Sequence, residues 1–263
     1  MSDVIFKTQT VRKQYLDRNQ IKTILFNRFS IDRGKITVLK GETGIGKTTL
    51  LNMLGLMDTI AFHKGDNITF FPKPDKPFHY RDVFGAGFLR REKALETIRK
   101  NYFGFMFQHD HLIDGWTGWE NVILPYLIRY PKKSPSIPKQ KAKELIESCQ
   151  FDDMLDIMDR SPATYSGGQR QRAALIRAII HHPKVIFADE PFASVPERRA
   201  RRIIKILKEQ AQKNGVTTIM VAHDTHDKVL SQNGISICAL SETYKDNKNT
   251  KIISVKKGMY NET

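Results

Sequence analysis

The 263 residues of this chain carry a formal net charge of +15, with 40% hydrophobic and 27% charged residues, which is enough apolar sequence for one α/β domain. The two cysteines are distant and form no CxxC pair, which argues against a disulfide scaffold or a zinc site. We expect no secretion, because a basic and apolar leader is lacking, and no membrane span, because no apolar run reaches about 18 residues. The charge alone leaves three interpretations open: a nucleic-acid surface, a face held near anionic lipid, and a solvated surface that only maintains solubility.

The N-terminal part of the chain predicts strands followed by a turn and a helix. Residues 4–20 predict a first strand or hairpin, which carries Tyr15, and residues 23–29 predict a second strand. Apolar residues over 36–40 predict a buried strand, and residues 48–57 predict the helix after it. The ring of Tyr15 fits either a place in the core or stacking on a nucleotide base.

The turn between that strand and helix fits the phosphate-loop pattern of Gly, four residues, Gly, Lys and Ser or Thr. Its residues are Gly41, Glu42, Thr43, Gly44, Ile45, Gly46, Lys47, Thr48 and Thr49. The glycines let successive backbone N–H groups curl around a polyphosphate, and the helix N-terminus adds donors and a positive dipole end. The pattern predicts that Lys47 reaches the β- and γ-phosphates of ATP and that the Thr48 hydroxyl binds Mg²⁺.

The middle of the chain changes from strands to helices. Its predicted elements are a strand over 68–71, a loop over 72–87, a helix over 92–100, a strand over 102–107 and helices over 119–128 and 140–149 split by a loop over 131–138. Gln108 directly follows the strand predicted over 102–107. Such a glutamine is by itself an ordinary surface residue.

The last part of the chain alternates helix and strand. Its predicted elements are a helix that opens at Ser166, a strand over 185–188, a helix over 198–213 and a strand over 217–222. Asp189 and Glu190 follow the first of these strands, and His223 follows the second. Alternation of this kind predicts a parallel sheet whose ligand lies at the carboxyl ends of the strands.

Taken together, the motifs closely resemble those of ATP-binding cassette (ABC) ATPases. Their order is Tyr15, the phosphate loop, Gln108, the signature Ser166, Gly167, Gly168 and Gln169, then Asp189, Glu190 and His223. The resemblance implies an α/β fold, with a P-loop NTPase (RecA-like) core and mainly parallel sheet, an N-terminal antiparallel β subdomain and an inserted α-helical subdomain. It also implies a single ABC ATPase domain over 1–263, with the nucleotide-binding core at 1–108 and 165–263 and the helical signature subdomain at 109–164.

The resemblance gives each motif a role. Asp189 would hold Mg²⁺, and the adjacent Glu190 would act as general base or orient the attacking water. Gln108 would contact the metal or that water, and His223 would donate to the γ-phosphate. Tyr15 matches the aromatic that stacks on adenine.

The signature adds a second subunit to these expectations. Ser166 to Gln169 open a helix and so form an anion site, which in the family closes over the γ-phosphate held by a partner subunit. ATP and Mg²⁺ are therefore the expected cofactors and a homodimer the expected assembly. Without the resemblance, Asp189 and Glu190 would fit a helix N-cap and His223 a structural position.

Two positions depart from the family pattern. Tyr165 stands where the signature usually has Leu, and Pro196 replaces the acidic residue that helps the two sites communicate. Because Lys47, Asp189, Glu190 and His223 remain, the sequence predicts a working but slow ATPase. Residues 105–112 and 119–125 look most like the branch with lipoprotein-releasing, macrolide-exporting and cell-division ATPases.

These observations favour the ATP-binding and hydrolysing subunit of an ABC transporter, which drives export, extraction or mechanotransmission by separate transmembrane permease subunits. Such a protein would be cytoplasmic and peripheral on the inner face of the membrane, where the basic charge suits an anionic bilayer. The alternative is a soluble ABC ATPase that acts on nucleic acid or ribosomes. The chain lacks the coiled-coil insertions, zinc hooks or second cassette of such proteins, so no nucleic-acid partner is expected.

Overall fold

The computed structural model describes residues 3–17, 20–60, 62–107, 111–192, 196–222, 227–231, 235–247 and 250–259. The strands are β1 (Val4–Thr8), β2 (Val11–Asp17), β3 (Gln20–Phe26), β4 (Ser30–Asp32), β5 (Ile36–Lys40), β6 (Ile68–Lys73), β7 (Lys76–His79), β8 (Phe103–Met106), β9 (Val185–Asp189), β10 (Thr217–Val221), β11 (Ser236–Asn247) and β12 (Thr250–Met259). The α-helices are α1 (Lys47–Leu54), α2 (Tyr80–Phe84), α3 (Phe88–Tyr102), α4 (Gly118–Arg129), α5 (Ser136–Ser148), α6 (Gly167–Ile179), α7 (Glu197–Asn214) and α8 (Asp227–Ser231). Two short 3₁₀ helices cover Asp152–Ile157 and Pro162–Thr164.

The larger sheet has the strand order β2-β3-β12-β11-β5-β10-β9-β8. Its β11, β5, β10, β9 and β8 pair in parallel, so their carboxyl ends meet at one edge. All five residues of β10 are buried, as expected for a strand that is covered on both faces. This edge places the ends of β5, β9 and β10 side by side.

A smaller antiparallel sheet, in the order β4-β1-β6-β7, packs against the first. Its core is aromatic, with the rings of Phe6 and Phe70 stacked at 5.1 Å and the ring of Phe103 from β8 5.0 Å from Phe70. The predicted fold class, a mainly parallel core sheet with an antiparallel β part and a helical part, is confirmed.

The helices α4 and α5 with the 3₁₀ helices form the predicted helical part, and α4 packs against α6. Gly118 starts α4 beside Tyr165, where a Cβ atom would lie 2.1 Å from the Tyr165 hydroxyl. Thr117 caps the helix by accepting from the Glu120 N–H, and the Glu120 carboxylate accepts from Thr117. The limits of this subdomain at 109 and 164 remain a prediction.

Four predicted boundaries were wrong. Residues 72–87 are not a loop throughout, because they contain β7 and α2; the buried Tyr80 holds this segment by donating to the Leu54 carbonyl at 2.7 Å. The loop over 131–138 ends earlier, since α5 already starts at Ser136. The helix expected over 48–57 stops at Leu54, where Gly55 forms its C-cap. The second strand, expected over 23–29, is β3, and it begins and ends earlier.

Candidate functional site

The phosphate loop connects β5 to α1, as predicted. Gly41, Gly44 and Gly46 have φ angles of 150°, 77° and 112°, which residues other than glycine rarely adopt. A Cβ atom on Gly41 would lie 2.6 Å from the Leu240 carbonyl oxygen, and one on Gly46 3.2 Å from the Phe26 ring. The backbone conformation therefore favours glycine at both positions, and at Gly41 the packing excludes a side chain as well.

Lys47 and Thr48 open α1 and point toward the loop and the end of β9. The Lys47 ammonium donates to the carbonyl oxygens of Gly41 and Glu42 at 2.6 and 2.9 Å. The Thr48 hydroxyl donates to Asp189 Oδ1 at 3.2 Å. Neighbouring ligands of an octahedral Mg²⁺ lie about 3 Å apart, so this hydroxyl–carboxylate pair fits a magnesium ion.

Asp189 ends β9 and Glu190 follows it with a φ of 47°, a left-handed conformation unusual for glutamate. The Glu190 N–H donates to the carbonyl of Val221 at the end of β10, 3.0 Å away. That bond fixes the bend which directs the side chain into the pocket next to the phosphate loop. Unusual backbone of this kind is often found at functional sites.

One pocket of about 520 Å³ brings eight of the predicted site residues together. Its lining includes Tyr15, Thr43, Gly44, Gly46, Lys47, Thr48, Thr49 and Glu190. The Tyr15 ring is 43% exposed, which favours a stacking surface over a place in the core. The volume is typical of sites for ligands of nucleotide size.

The pocket is also lined by two charged residues that sequence reasoning missed, Lys13 and Asp58. Lys13 lies on β2 two positions before Tyr15, so both side chains point to the same face of the strand. Its ammonium forms an ion pair with Asp58 and donates to the Thr59 carbonyl at 3.1 Å. The alternation along β2 was a usable signal for Lys13, whereas nothing local marked Asp58.

The signature residues start α6. The Ser166 hydroxyl accepts from the Gln169 N–H at 3.3 Å and the Gln169 side chain accepts from the Ser166 N–H at 2.8 Å, which is a capping box. Ser166 and Gly167 are exposed, and the four signature residues lie outside the lining of the 520 Å³ pocket. The structure therefore does not bring them into the pocket of their own chain.

Two predicted catalytic residues, Gln108 and His223, lie outside the described residues, as do the three residues before Pro196. Their roles stay predictions. Pro196 itself is the N-cap of α7.

A second cavity, of about 390 Å³, lies between α3, α4, α6 and β8. Its wall is mainly apolar, with Phe103, Phe105, Leu124 and Ile128, and it carries the basic residues Arg99, Lys100 and Arg177. His181 closes one side. We refer to it as the α3–α4 groove.

The phosphate loop, the Thr48–Asp189 pair and Glu190 at the edge of a parallel sheet define a P-loop nucleotide-binding protein. Residues 27–193 match the family described as ABC transporter. An uncharacterized ABC transporter ATP-binding protein of Methanocaldococcus jannaschii, MJ1508, is 34% identical over 79% of this chain and 84% of its own length. The chain belongs to the ABC transporter ATP-binding family.

Other relatives and solved structures agree with this assignment. The lipoprotein-releasing system ATP-binding protein LolD of Ehrlichia ruminantium is 30% identical, covering 84% of this chain and 89% of its own length. A dimeric structure of MJ0796, a bacterial ABC transporter cassette, superposes with a TM-score of 0.74 at 25% identity over 97% of this chain and 98% of that one. In the described part of the chain, no helix is both long and apolar enough to cross a membrane.

Proposed function

We propose that this chain is the ATP-binding and hydrolysing subunit of an ABC transporter complex, which works by ATP-driven dimerisation. The observation that carries the proposal is the pocket in which Lys47, Thr48 and Glu190 meet beside the end of β9. Family membership supports ATP as the nucleotide, since a structure of MJ0796 similar in fold is described as bound to ADP and Pi.

Each residue has a chemical role in this proposal. Tyr15 stacks on the adenine, the loop N–H groups and Lys47 hold the phosphates, and Thr48 with Asp189 would hold Mg²⁺. When bound, that ion would offset the charge of the phosphate oxygens. Glu190 orients the attacking water and accepts its proton, while Gln108 and His223 contact the water and the γ-phosphate.

The exposed signature supports a second subunit in the reaction. Ser166 and Gly167 offer an exposed helix N-terminus outside the lining of the 520 Å³ pocket of their own chain, so a second copy can present its nucleotide there. Dimeric structures of MJ0796 show that a cassette of this fold assembles as a pair. The homodimer thus contains two nucleotides, each between the phosphate loop of one subunit and the signature of the other.

The α3–α4 groove is the proposed contact with the transmembrane permease subunits. Its apolar wall suits the apolar face of a cytoplasmic helix, and Arg99 and Arg177 suit acidic residues beside that face, while Lys100 pairs with Glu96 of the same lining. The chain would then lie on the inner face of the cell membrane. Relatives named lipoprotein-releasing ATP-binding proteins support an export or extraction role.

The test is nucleotide-dependent dimerisation of Glu190→Gln, measured by size-exclusion chromatography with light scattering in Mg-ATP. The amide keeps the shape of the carboxylate but cannot act as a base, so the closed dimer accumulates. Glu147→Gln, on an exposed part of α5, is the matched control and should not trap a dimer.

Adding Ser166→Arg to Glu190→Gln should abolish the dimer while ATP binding persists. A Glu190→Gln protein that binds ATP but stays monomeric would contradict ATP-driven dimerisation of the isolated subunit. Absence of Mg²⁺-dependent phosphate release from the wild-type protein assembled with its permease would contradict the ATPase assignment itself.

A further inference from the structure

A third cavity, of about 230 Å³, lies where the first turns of α6 and α7 meet the segment after α5. Four arginines, Arg172, Arg198, Arg199 and Arg202, line it together with the ring of Phe151 and the backbone of Gly168. We call it the arginine pocket. Its lining shares no residue with the 520 Å³ nucleotide pocket.

Two of these arginines are held in place by the protein. The Arg172 guanidinium lies 5.4 Å from the centre of the Phe151 ring, donates to the Gly168 carbonyl at 3.1 Å and pairs with Asp153 at 2.7 Å. Arg202 lies 5.8 Å from the same ring and donates twice to the Cys149 carbonyl, at 2.9 and 2.7 Å. Their positions are therefore fixed before any ligand arrives.

The other two arginines have no such restraint. Within the ranges that the structure describes, the side chains of Arg198 and Arg199 form no hydrogen bond or ion pair with another residue. The Arg199 guanidinium rests on the first turn of α6, since its Nη1 lies 2.5 Å from the position a Cβ atom of Gly168 would take. It thus adds its charge to the positive end of the α6 dipole.

The charge of this pocket is unbalanced. Its four arginines are accompanied by no acidic residue among the described residues that line it, and Asp153 pairs with Arg172 from outside. Like charges that converge on one concavity repel each other, and an anion bound between them relieves that repulsion. The planar guanidinium fork matches the oxygens of phosphate in bidentate fashion.

We propose that the arginine pocket binds a phosphate-class anion, either orthophosphate or pyrophosphate. Sites for drug-sized ligands have about 300 to 1,000 Å³, so 230 Å³ suits one or two phosphate groups better than a whole nucleotide. Arg172 and Arg202 form the fixed wall, and Arg198 and Arg199 close on the anion from the exposed side. The inference does not depend on the proposed function, because none of its four arginines has a role there, although Gly168 of the lining belongs to the signature.

The test is calorimetric titration of the full-length protein with pyrophosphate and, separately, with orthophosphate. A Lys47→Glu background removes competing binding at the phosphate loop, because a carboxylate there repels phosphate, while a glutamate in the first helical turn is well tolerated. In this background we expect one saturable site. Replacing both Arg198 and Arg199 by Gln should weaken it at least about tenfold, since two charge-assisted contacts are lost.

Arg201→Gln is the matched control, because this arginine lies on the same turn of α7 but pairs with Glu197 and does not line the pocket. In the Lys47→Glu background, the affinity of the Arg201→Gln variant for the anion should stay within about twofold of the value without Arg201→Gln. Saturable binding of orthophosphate as well as pyrophosphate would identify a single phosphate group as the ligand, and binding of pyrophosphate alone would identify the diphosphate.

Two results would overturn the proposal. One is a lack of saturable binding of either anion to the Lys47→Glu protein. The other is equal affinity of the Arg198→Gln, Arg199→Gln double variant and the Arg201→Gln control. Both arginines are exposed, and Arg199→Gln alone gives the same comparison should the double variant unfold at a lower temperature in circular dichroism.

Discussion

His181 makes the stability of this protein depend on pH in a defined window. The side chain is only 2% exposed, its Nε2 bonds to the Phe103 carbonyl at 2.8 Å, and its Nδ1 is buried without a hydrogen-bond partner. Burial lowers the pKa of His181 to about 4; the Phe103 bond opposes this, and the positive charges of Arg129 and His182 reinforce it. Protonation would place an N–H⁺ at Nδ1 where nothing accepts it.

The direction in which stability changes with pH follows from the pKa values of His181 in the unfolded and folded chain. The unfolded chain takes up this proton near pH 6.5 and the folded chain only near pH 4, so stability is complete above about pH 6.5 and falls between these values. With RT of about 0.6 kcal/mol, lowering the pH from 7.5 to 5.0 costs about 2 kcal/mol through this residue alone. Lowering the pH from above 6.5 to below 4 would reduce the free energy of unfolding by about 3 kcal/mol through His181.

The assay is urea unfolding followed by circular dichroism at pH 7.5, 6.0 and 5.0, for the wild type and His181→Gln. The glutamine amide can keep the donor to the Phe103 carbonyl but does not titrate, so the variant should lose about 2 kcal/mol less than the wild type over this range. The other titrating groups contribute equally to both proteins, so their contribution cancels in the difference. Parallel pH profiles of the two proteins would refute the reasoning.

Three further predictions follow from packing and burial. Gly104→Ala should destabilise by about 3 kcal/mol in urea unfolding, because its Cβ would lie 2.1 Å from the Ala178 carbonyl oxygen, whereas Gly115→Ala, with open space around it, should have little effect; equal effects would contradict this. Tyr165→Phe should lower the free energy of unfolding by about 1 kcal/mol, since its hydroxyl donates a partly buried hydrogen bond to the Ile157 carbonyl at 2.8 Å, and unchanged stability would count against that bond. Burial raises the pKa of the two cysteine thiols to about 11 and about 12, so a disulfide reagent should label them only after denaturation, and rapid labelling of the native protein would disprove their burial.

The parts of the site that could be predicted are those in which one short segment determines both conformation and chemistry. The spacing of Gly41 to Thr48 dictates a loop that only glycines can form and that ends in a lysine and a hydroxyl. The apolar run of β9 likewise predicts a strand buried on both faces of a parallel sheet. Because Asp189 ends this strand, it lies at the carboxyl edge of the sheet. Such features need no knowledge of distant residues.

Features that depend on long-range pairing could not be predicted. The strands β11 and β12 form a long hairpin between β3 and β5, and their polar residues alternate too weakly to mark them. Asp58, in the segment after α1, lines the nucleotide pocket beside Lys13, which is 45 positions earlier and contacts it from β2. The arginine pocket arises in the same way, since three segments distant in sequence converge on Phe151.

One such long-range contact links the two halves of the proposed catalytic cycle within a single chain. Gln171, on the first turns of the signature helix α6, donates from its side chain to the carbonyl of Pro191, the residue after Glu190. On its other side Glu190 is fixed to β10 through the Val221 carbonyl, and its left-handed backbone leaves little freedom to adjust. A displacement of α6 when the signature engages a second subunit must therefore either break the Gln171 bond or move Pro191 with it. In the second case the backbone next to Glu190 moves with the signature helix, so under the proposed function this contact would couple the position of the Glu190 carboxylate to closure over the second nucleotide.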